Sequence, residues 1–74
     1  MNITENFTEA TGLFTRHGFV VTPALLDGDA QYEAEQTIIN DYGVVGEVVQ
    51  CDWNAEGTEV EIVTEYDSEN YWTD

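Results

Sequence analysis

The sequence predicts a small α+β domain, in which an antiparallel β-sheet of three to four strands is covered on one face by one or two helices. Three observations predict this fold. Apolar residues recur at helical spacing near the N-terminus, they alternate with polar residues from residue 44 onward, and glycines punctuate the segments between. A chain of 74 residues has room for one domain, residues 1–74. The expected element order is α-β-α-β-β, with a possible C-terminal strand.

The first predicted element is a helix over residues 3–17. Its apolar residues fall at i, i+4, i+7 and i+11, as on one face of an amphipathic helix: Ile3, Phe7, Ala10 and Phe14. Asn2 followed by Glu5 resembles a capping box. Arg16 suits the negative end of the macrodipole, and Gly18 suits a left-handed C-cap.

The middle of the chain predicts a short strand and a second helix. Residues 19–22 are aromatic and β-branched and run up to a proline, and residues 24–26 either extend this strand or form a turn. The helix is expected over residues 29–42, with Asp29 as its cap and Gly43 as its end. Apolar residues spaced by four support it: Ala30, Ala34, Ile38 and Tyr42. Residues 32–35 also alternate as a strand would, which leaves that alternative open.

The last third of the chain predicts a β-hairpin. On its first strand one face carries Val45, Val49, Cys51 and Trp53, with Glu47 as an exception on that face. Residues 54–57 have turn composition. The second strand, residues 58–66, places Val60, Ile62, Thr64 and Tyr66 on one face and Glu59, Glu61, Val63 and Glu65 on the other. Residues 67–70 have the composition of a turn, and residues 71–73 can return as a final short strand.

The charge of the chain excludes several functions. Sixteen Asp and Glu oppose one Arg and no Lys, for a net charge of -15. Direct binding of nucleic acid or of an anionic membrane is therefore excluded, since both need basic side chains. No apolar run approaches the ~20 residues of a membrane span. A hydrophobic content of 42% favours a folded domain over a disordered chain.

The composition also predicts a compartment. A single cysteine excludes an intramolecular disulfide framework, and the N-terminus lacks a signal-peptide pattern. We therefore expect a cytoplasmic protein, in the host cytoplasm if a phage encodes it. The acids are unevenly placed: residues 1–26 carry a net charge of -2 + 1 = -1, and residues 27–74 carry fourteen acids with no base.

The sequence gives little support for a catalytic site, a metal site or a cofactor. His17 and Cys51 are conceivable as a nucleophile pair, but a helix-end histidine and a core cysteine are the preferred interpretation. Residues 27–38 begin like a calcium loop, yet Tyr32 stands where glycine is needed and Ile38 where a bidentate glutamate is needed. No catalytic residue, metal site or cofactor is predicted.

The acids themselves are the predicted partner-binding surface. On a strand, side chains two residues apart lie about 6.8 Å from each other. Since DNA phosphates advance about 3.4 Å per step, alternate carboxylates fall near every second phosphate. The predicted surface comprises Asp27, Asp29, Glu33, Glu47, Asp52, Glu56, Glu59, Glu61, Glu65, Asp67 and Glu69. Tyr71 and Trp72 either anchor in a partner's groove or pack on the sheet.

In its size, its charge imbalance and the row Glu59, Glu61 and Glu65, the chain resembles the small acidic DNA-mimic inhibitors of phages and mobile elements, which include anti-CRISPR and anti-restriction proteins. The resemblance implies a non-enzymatic inhibitor that occupies the nucleic-acid site of a basic protein or complex, such as a CRISPR surveillance complex. Two alternatives remain open. One is an immunity or antitoxin protein that neutralises a basic nuclease, and the other is a small acidic housekeeping domain of a halophile.

Overall fold

The computed structural model describes residues 1–44 and 46–65. They form a four-stranded antiparallel sheet and one helix, which confirms the predicted small α+β fold. The elements are β1 (Asn2–Thr11), β2 (Phe14–Thr22), α1 (Gly28–Asp41), β3 (Glu47–Trp53) and β4 (Glu59–Glu65). The strand order is β1-β2-β4-β3, so β2 and β4 are central. The predicted turn at residues 67–70 and strand at residues 71–73 lie outside the described residues.

The predicted helix over residues 3–17 is wrong, because this segment forms β1 and most of β2. The element order is therefore β-β-α-β-β. Asn2 and Glu5 form no capping box, and Glu5 instead accepts a hydrogen bond from Thr8 Oγ1 over 3.1 Å. Gly18 is no C-cap either, because it lies within β2 opposite Phe7.

Two local features explain why the helical spacing misled. Gly12 has a φ of 61°, which suits the first central position of the two-residue hairpin turn between β1 and β2. A bulge between Glu5 and Phe7 then shifts the side-chain alternation by one residue. Ile3 therefore faces Val21 on one side of the sheet, whereas Phe7 lies on the other. The spacing of four between these two residues fits one face of a helix, but in the sheet the bulge puts them on opposite faces.

The helix α1 confirms the second predicted helix and excludes the strand alternative. Its cap is Asp27 rather than Asp29, because the Asp27 carboxylate accepts from the Asp29 backbone N–H over 3.2 Å. Ala34 and Ile38 are fully buried against the sheet, as their spacing predicts. At the far end, the Tyr42 hydroxyl donates to the Ile3 carbonyl over 3.1 Å, which ties α1 to β1.

The C-terminal hairpin is confirmed over the described residues, with one correction on β3, whereas Val45 and Tyr66 of the predicted strands lie outside those residues. Its turn is held by Asn54, whose side-chain oxygen accepts from the backbone N–H groups of Thr58 and Glu59. A bulge between residues 48 and 50 reverses the alternation, so that Val48 packs on the core and Val49 is 46% exposed. The expectation that Val49 and Glu47 share the face of Cys51 and Trp53 is therefore wrong for both residues.

The core lies between α1 and one face of the sheet. Its buried members are Phe19, Val21, Ile38, Val60 and Ile62. Thr64 is buried beside them, as the alternation of β4 predicts. We call this side the inner face. The opposite side, which α1 does not cover, is the outer face and is populated by the intervening residues of each strand.

Candidate acidic interface

The outer face collects most of the acids that the sequence places on strands. The cross-strand register puts Glu65 of β4 opposite Glu47 of β3, and Glu61 opposite Asp52. Glu59 lies two residues before Glu61 on the same strand, opposite Val20 of β2. Like charges directly opposite one another repel, so these pairs lower the stability of the sheet. Five of the predicted partner-binding acids therefore share one surface.

Two charged residues of the outer face were not among the predicted site residues. Glu9 of β1 lies opposite Arg16 of β2 on this face. Both were assigned to a helix from sequence, so their place in the sheet was missed. The available signal was Gly12, whose position fits a tight hairpin turn better than the interior of a helix.

Arg16 is bound by two carboxylates of the outer face. Its Nη1 donates to Glu9 over 2.9 Å, and its Nη2 donates to Glu61 over 2.6 Å. The guanidinium also lies over the Phe7 ring, 5.7 Å from the ring centre. The hydrogen bond to Glu61 and the charge of that carboxylate raise the pKa of Arg16, and Glu9 adds to the effect.

The remaining predicted acids of the described segments lie elsewhere. Asp27 caps α1, and Asp29 lies in its first turn, where a negative charge favours the helix dipole. Glu33 is exposed on α1, which packs on the inner face, so it lies across the sheet from the acids of the outer face. Glu56 is in the β3–β4 turn. Asp67, Glu69, Tyr71 and Trp72 lie outside the described residues.

One acid that was not predicted as functional joins α1 to β3. Glu35 accepts a hydrogen bond from Trp53 Nε1 over 2.7 Å. Partial burial raises the pKa of the neighbouring Cys51 thiol to about 11, and the negative charge of Glu35 adds to this rise. A thiol with so high a pKa is a poor nucleophile at neutral pH.

His17 is buried on the inner face rather than at a helix end. It is 6% exposed and stacks on Phe19, with ring centres 6.4 Å apart. Its Nε2 has no hydrogen-bond partner within the described segments. Ile62 lies opposite it on β4, and Cys51 lies opposite Ile62 on β3, so a strand separates the two residues of the conceivable nucleophile pair.

Within residues 1–44 and 46–65, no group of three or more His, Cys, Asp or Glu side chains is arranged to hold a metal ion. The same segments contain no helix that is both long and apolar enough to cross a membrane. No protein-family model, curated protein or solved structure matches the chain. Its function is therefore inferred from the geometry and charge of its surface.

Proposed function

We propose that this protein is a non-enzymatic inhibitor whose acidic outer face imitates DNA. It would occupy the nucleic-acid site of a basic protein or complex of a bacterial defence system, such as a CRISPR surveillance complex. The proposal accounts for a chain that carries sixteen acids and a single base in 74 residues.

One observation carries the proposal. The outer face holds two adjacent columns of carboxylates, one on β4 and one on β3: Glu59, Glu61 and Glu65, with Asp52 and Glu47. Carboxylates two residues apart on a strand are about 6.8 Å from each other, and neighbouring strands are about 4.8 Å apart. Because a sheet fixes both backbone spacings, these acidic side chains project from an ordered array of positions. A phosphate-binding site can therefore bind this surface at a lower entropic cost, because the backbone of the surface is already ordered.

The energetic cost of this array supports a functional role. Domains of this size have only about 3–5 kcal/mol of stability from their cores. A net charge of -15 repels itself and weakens the compact state. Placing Glu61 opposite Asp52 adds to the repulsion at close range. A basic partner would relieve this repulsion, and electrostatic steering would speed the encounter.

A competition experiment tests the proposal. Purified CRISPR surveillance complexes and restriction enzymes would be incubated with labelled target duplex DNA and increasing amounts of the protein. We expect at least one of them to release its duplex, and excess duplex to displace the protein in turn. A complex that binds the protein and the duplex at the same time would show that inhibition, if present, does not work by imitation of DNA.

Two matched triple variants test the surface. Glu59→Lys, Glu61→Lys and Glu65→Lys together should abolish inhibition. The control changes the net charge equally with Glu5→Lys, Glu33→Lys and Asp41→Lys, at exposed acids away from the two columns. We expect this control to retain most of the inhibition, and circular dichroism would show that both variants fold. Equal loss in both would mean that net charge matters and that the array does not.

A further inference from the structure

A cleft of about 320 Å³ opens beside the β3–β4 hairpin. Three carboxylates and one aromatic ring of the outer face contribute to its lining. These residues, with the glycine between them, are Phe7, Gly18, Asp52, Glu59 and Glu61. The cleft therefore combines negative charge with flat apolar surface, whereas the rest of the two acidic columns offers charge alone.

The aromatic side of the cleft depends on the absence of a side chain at Gly18. A Cβ atom at this position would lie 2.1 Å from Cε1 of Phe7, so the ring rests directly over the Gly18 backbone. The register confirms the contact, because Gly18 pairs with Phe7 on one side and with Glu61 on the other. The ring is 38% exposed and thus presents surface to a ligand.

The chain already binds one guanidinium with these same residues. Arg16 donates to Glu61 over 2.6 Å while lying over the Phe7 ring at 5.7 Å. Planar guanidinium groups favour this combination, since they donate to carboxylates in their plane and stack on aromatic faces. Arg16 is a residue of β2 and does not contribute to the lining of the cleft.

Two carboxylates of the cleft are left without a cation. Within the described part of the chain the ion pairs are those of Arg16 with Glu9 and Glu61, and they include neither Asp52 nor Glu59. Asp52 accepts only from the Gln50 side chain within these segments. A positive group that enters the cleft would reduce the repulsion between Asp52 and Glu61, which face each other across β3 and β4.

We propose that this cleft binds an arginine side chain of the basic partner, an assignment that rests on the proposed function and names its anchoring contact. The guanidinium would donate to Asp52 and Glu59 and lie at the exposed edge of the Phe7 ring, beside the position that Arg16 occupies. A second copy of the chain is a poor occupant, because both copies carry a charge of -15. An arginine fits better than a lysine, because the ammonium group is compact, strongly hydrated and unable to stack.

The test uses the intact protein and a tetra-arginine peptide at low salt, followed by NMR of backbone amides and of the Phe7 ring. We expect shifts concentrated at Phe7, Gly18, Asp52 and Glu61. Tetra-lysine should bind at least about 3-fold more weakly, since it lacks the stacking contribution. Equal affinity for the two peptides, or shifts spread evenly over all exposed acids, would overturn the proposal.

Two pairs of variants separate the cleft from general charge. Asp52→Asn with Glu59→Gln should weaken binding of tetra-arginine by about 5- to 10-fold. Glu33→Gln with Asp41→Asn removes the same amount of charge from α1 and should change the affinity for tetra-arginine by less than about 2-fold. Phe7→Leu should weaken binding about 2- to 5-fold with no change in charge, whereas Phe14→Leu, on the same face but away from the cleft, should not. If each control variant loses as much affinity for tetra-arginine as its matched cleft variant, the cleft is not the binding site.

The outcome is independent of the inhibition assay. If tetra-arginine binds in the cleft but no DNA-binding complex is inhibited, the arginine site stands and the proposed function fails. If inhibition survives Asp52→Asn with Glu59→Gln at full strength, the proposed function stands and the arginine site fails.

Discussion

Arg16 on β2 donates to Glu61 on β4 over 2.6 Å, so the single arginine of a chain without lysine is bound among the carboxylates of the outer face. The same guanidinium reaches Glu9 on the edge strand β1 over 2.9 Å. It therefore bridges three adjacent strands and offsets part of the repulsion among the carboxylates of the outer face.

Replacing Arg16 should destabilise the sheet in a salt-dependent way. We expect Arg16→Gln to lower the thermal midpoint most at low salt, because the interaction is exposed and screened by ions. Glu33→Gln, which removes a charge from α1, is the control and should raise the midpoint slightly by reducing net repulsion. Thermal melts over a salt series measure both effects. An Arg16→Gln midpoint that matches the unmodified protein at every salt concentration would contradict the bridging role.

The unmodified protein should be folded at ordinary ionic strength. At about 0.15 M salt the Debye length is about 8 Å, so much of the repulsion between distant acids is screened. We expect a cooperative melt at this ionic strength, with a midpoint that rises as salt is added. Circular dichroism over a salt series provides the measurement. A chain that folds only in molar salt would instead favour the halophile interpretation.

The contact of Gly18 with Phe7 should be visible in stability. Gly18→Ala should destabilise the protein by about 1 kcal/mol, at the low end for overpacking, since the partly exposed Phe7 ring must move off the new methyl group. In a Phe7→Ala background the same change should be neutral or stabilising by about 0.5–1 kcal/mol, because alanine is less flexible than glycine. Chemical denaturation of the four proteins in this double-mutant cycle gives the coupling. Additive effects would show that the ring does not cover Gly18.

The bulge on β3 predicts unequal effects at two neighbouring valines. Val48→Ala should cost about 1–2 kcal/mol because Val48 packs on the core. Val49→Ala should stay within about 0.5 kcal/mol because Val49 is exposed. Urea denaturation of both variants checks the register directly. A larger loss of stability in Val49→Ala than in Val48→Ala would mean that β3 has no bulge and keeps the uninterrupted alternation that the sequence alone predicts.

Cys51 should react slowly in the folded protein. Its pKa is raised from 9.0 to about 11, so at about pH 9 far less thiolate is present in the folded than in the unfolded chain. Alkylation by iodoacetamide should therefore be about tenfold slower in the native state at that pH. Glu35→Gln should speed the native reaction, because the charge of Glu35 contributes to the shift. Equal rates in native and urea-unfolded protein would contradict the burial of this thiol.

The same shift sets a pH window for stability. Because folding raises the pKa of Cys51, the neutral thiol favours the folded state, and this contribution is fully present below pH 9.0. The free energy of unfolding should fall as the pH rises toward about 11. Cys51→Ala should lose less stability over that window, and denaturation at several pH values measures the difference.

The sequence by itself determined the C-terminal half of the described fold. The alternation of Val60, Ile62 and Thr64 with acids predicts β4 and its two faces, because successive side chains of a strand point to opposite faces of the sheet. The spacing of Ala34 and Ile38 predicts the buried face of α1 in the same way. The net charge of the protein also follows from composition alone.

Only the tertiary structure decided the N-terminal hairpin and the composition of the outer face. Ile3 and Phe7 fit a helix by spacing, and only the pairing of β1 with β2 and the bulge between Glu5 and Phe7 place them on opposite faces. A bulge arises from the pairing of two strands, so a pattern read along one strand does not contain it. The meeting of Arg16 with Glu61, 45 residues apart in sequence, has the same origin. It follows from the order β1-β2-β4-β3, which is set by how the two hairpins pack against α1 around a shared core.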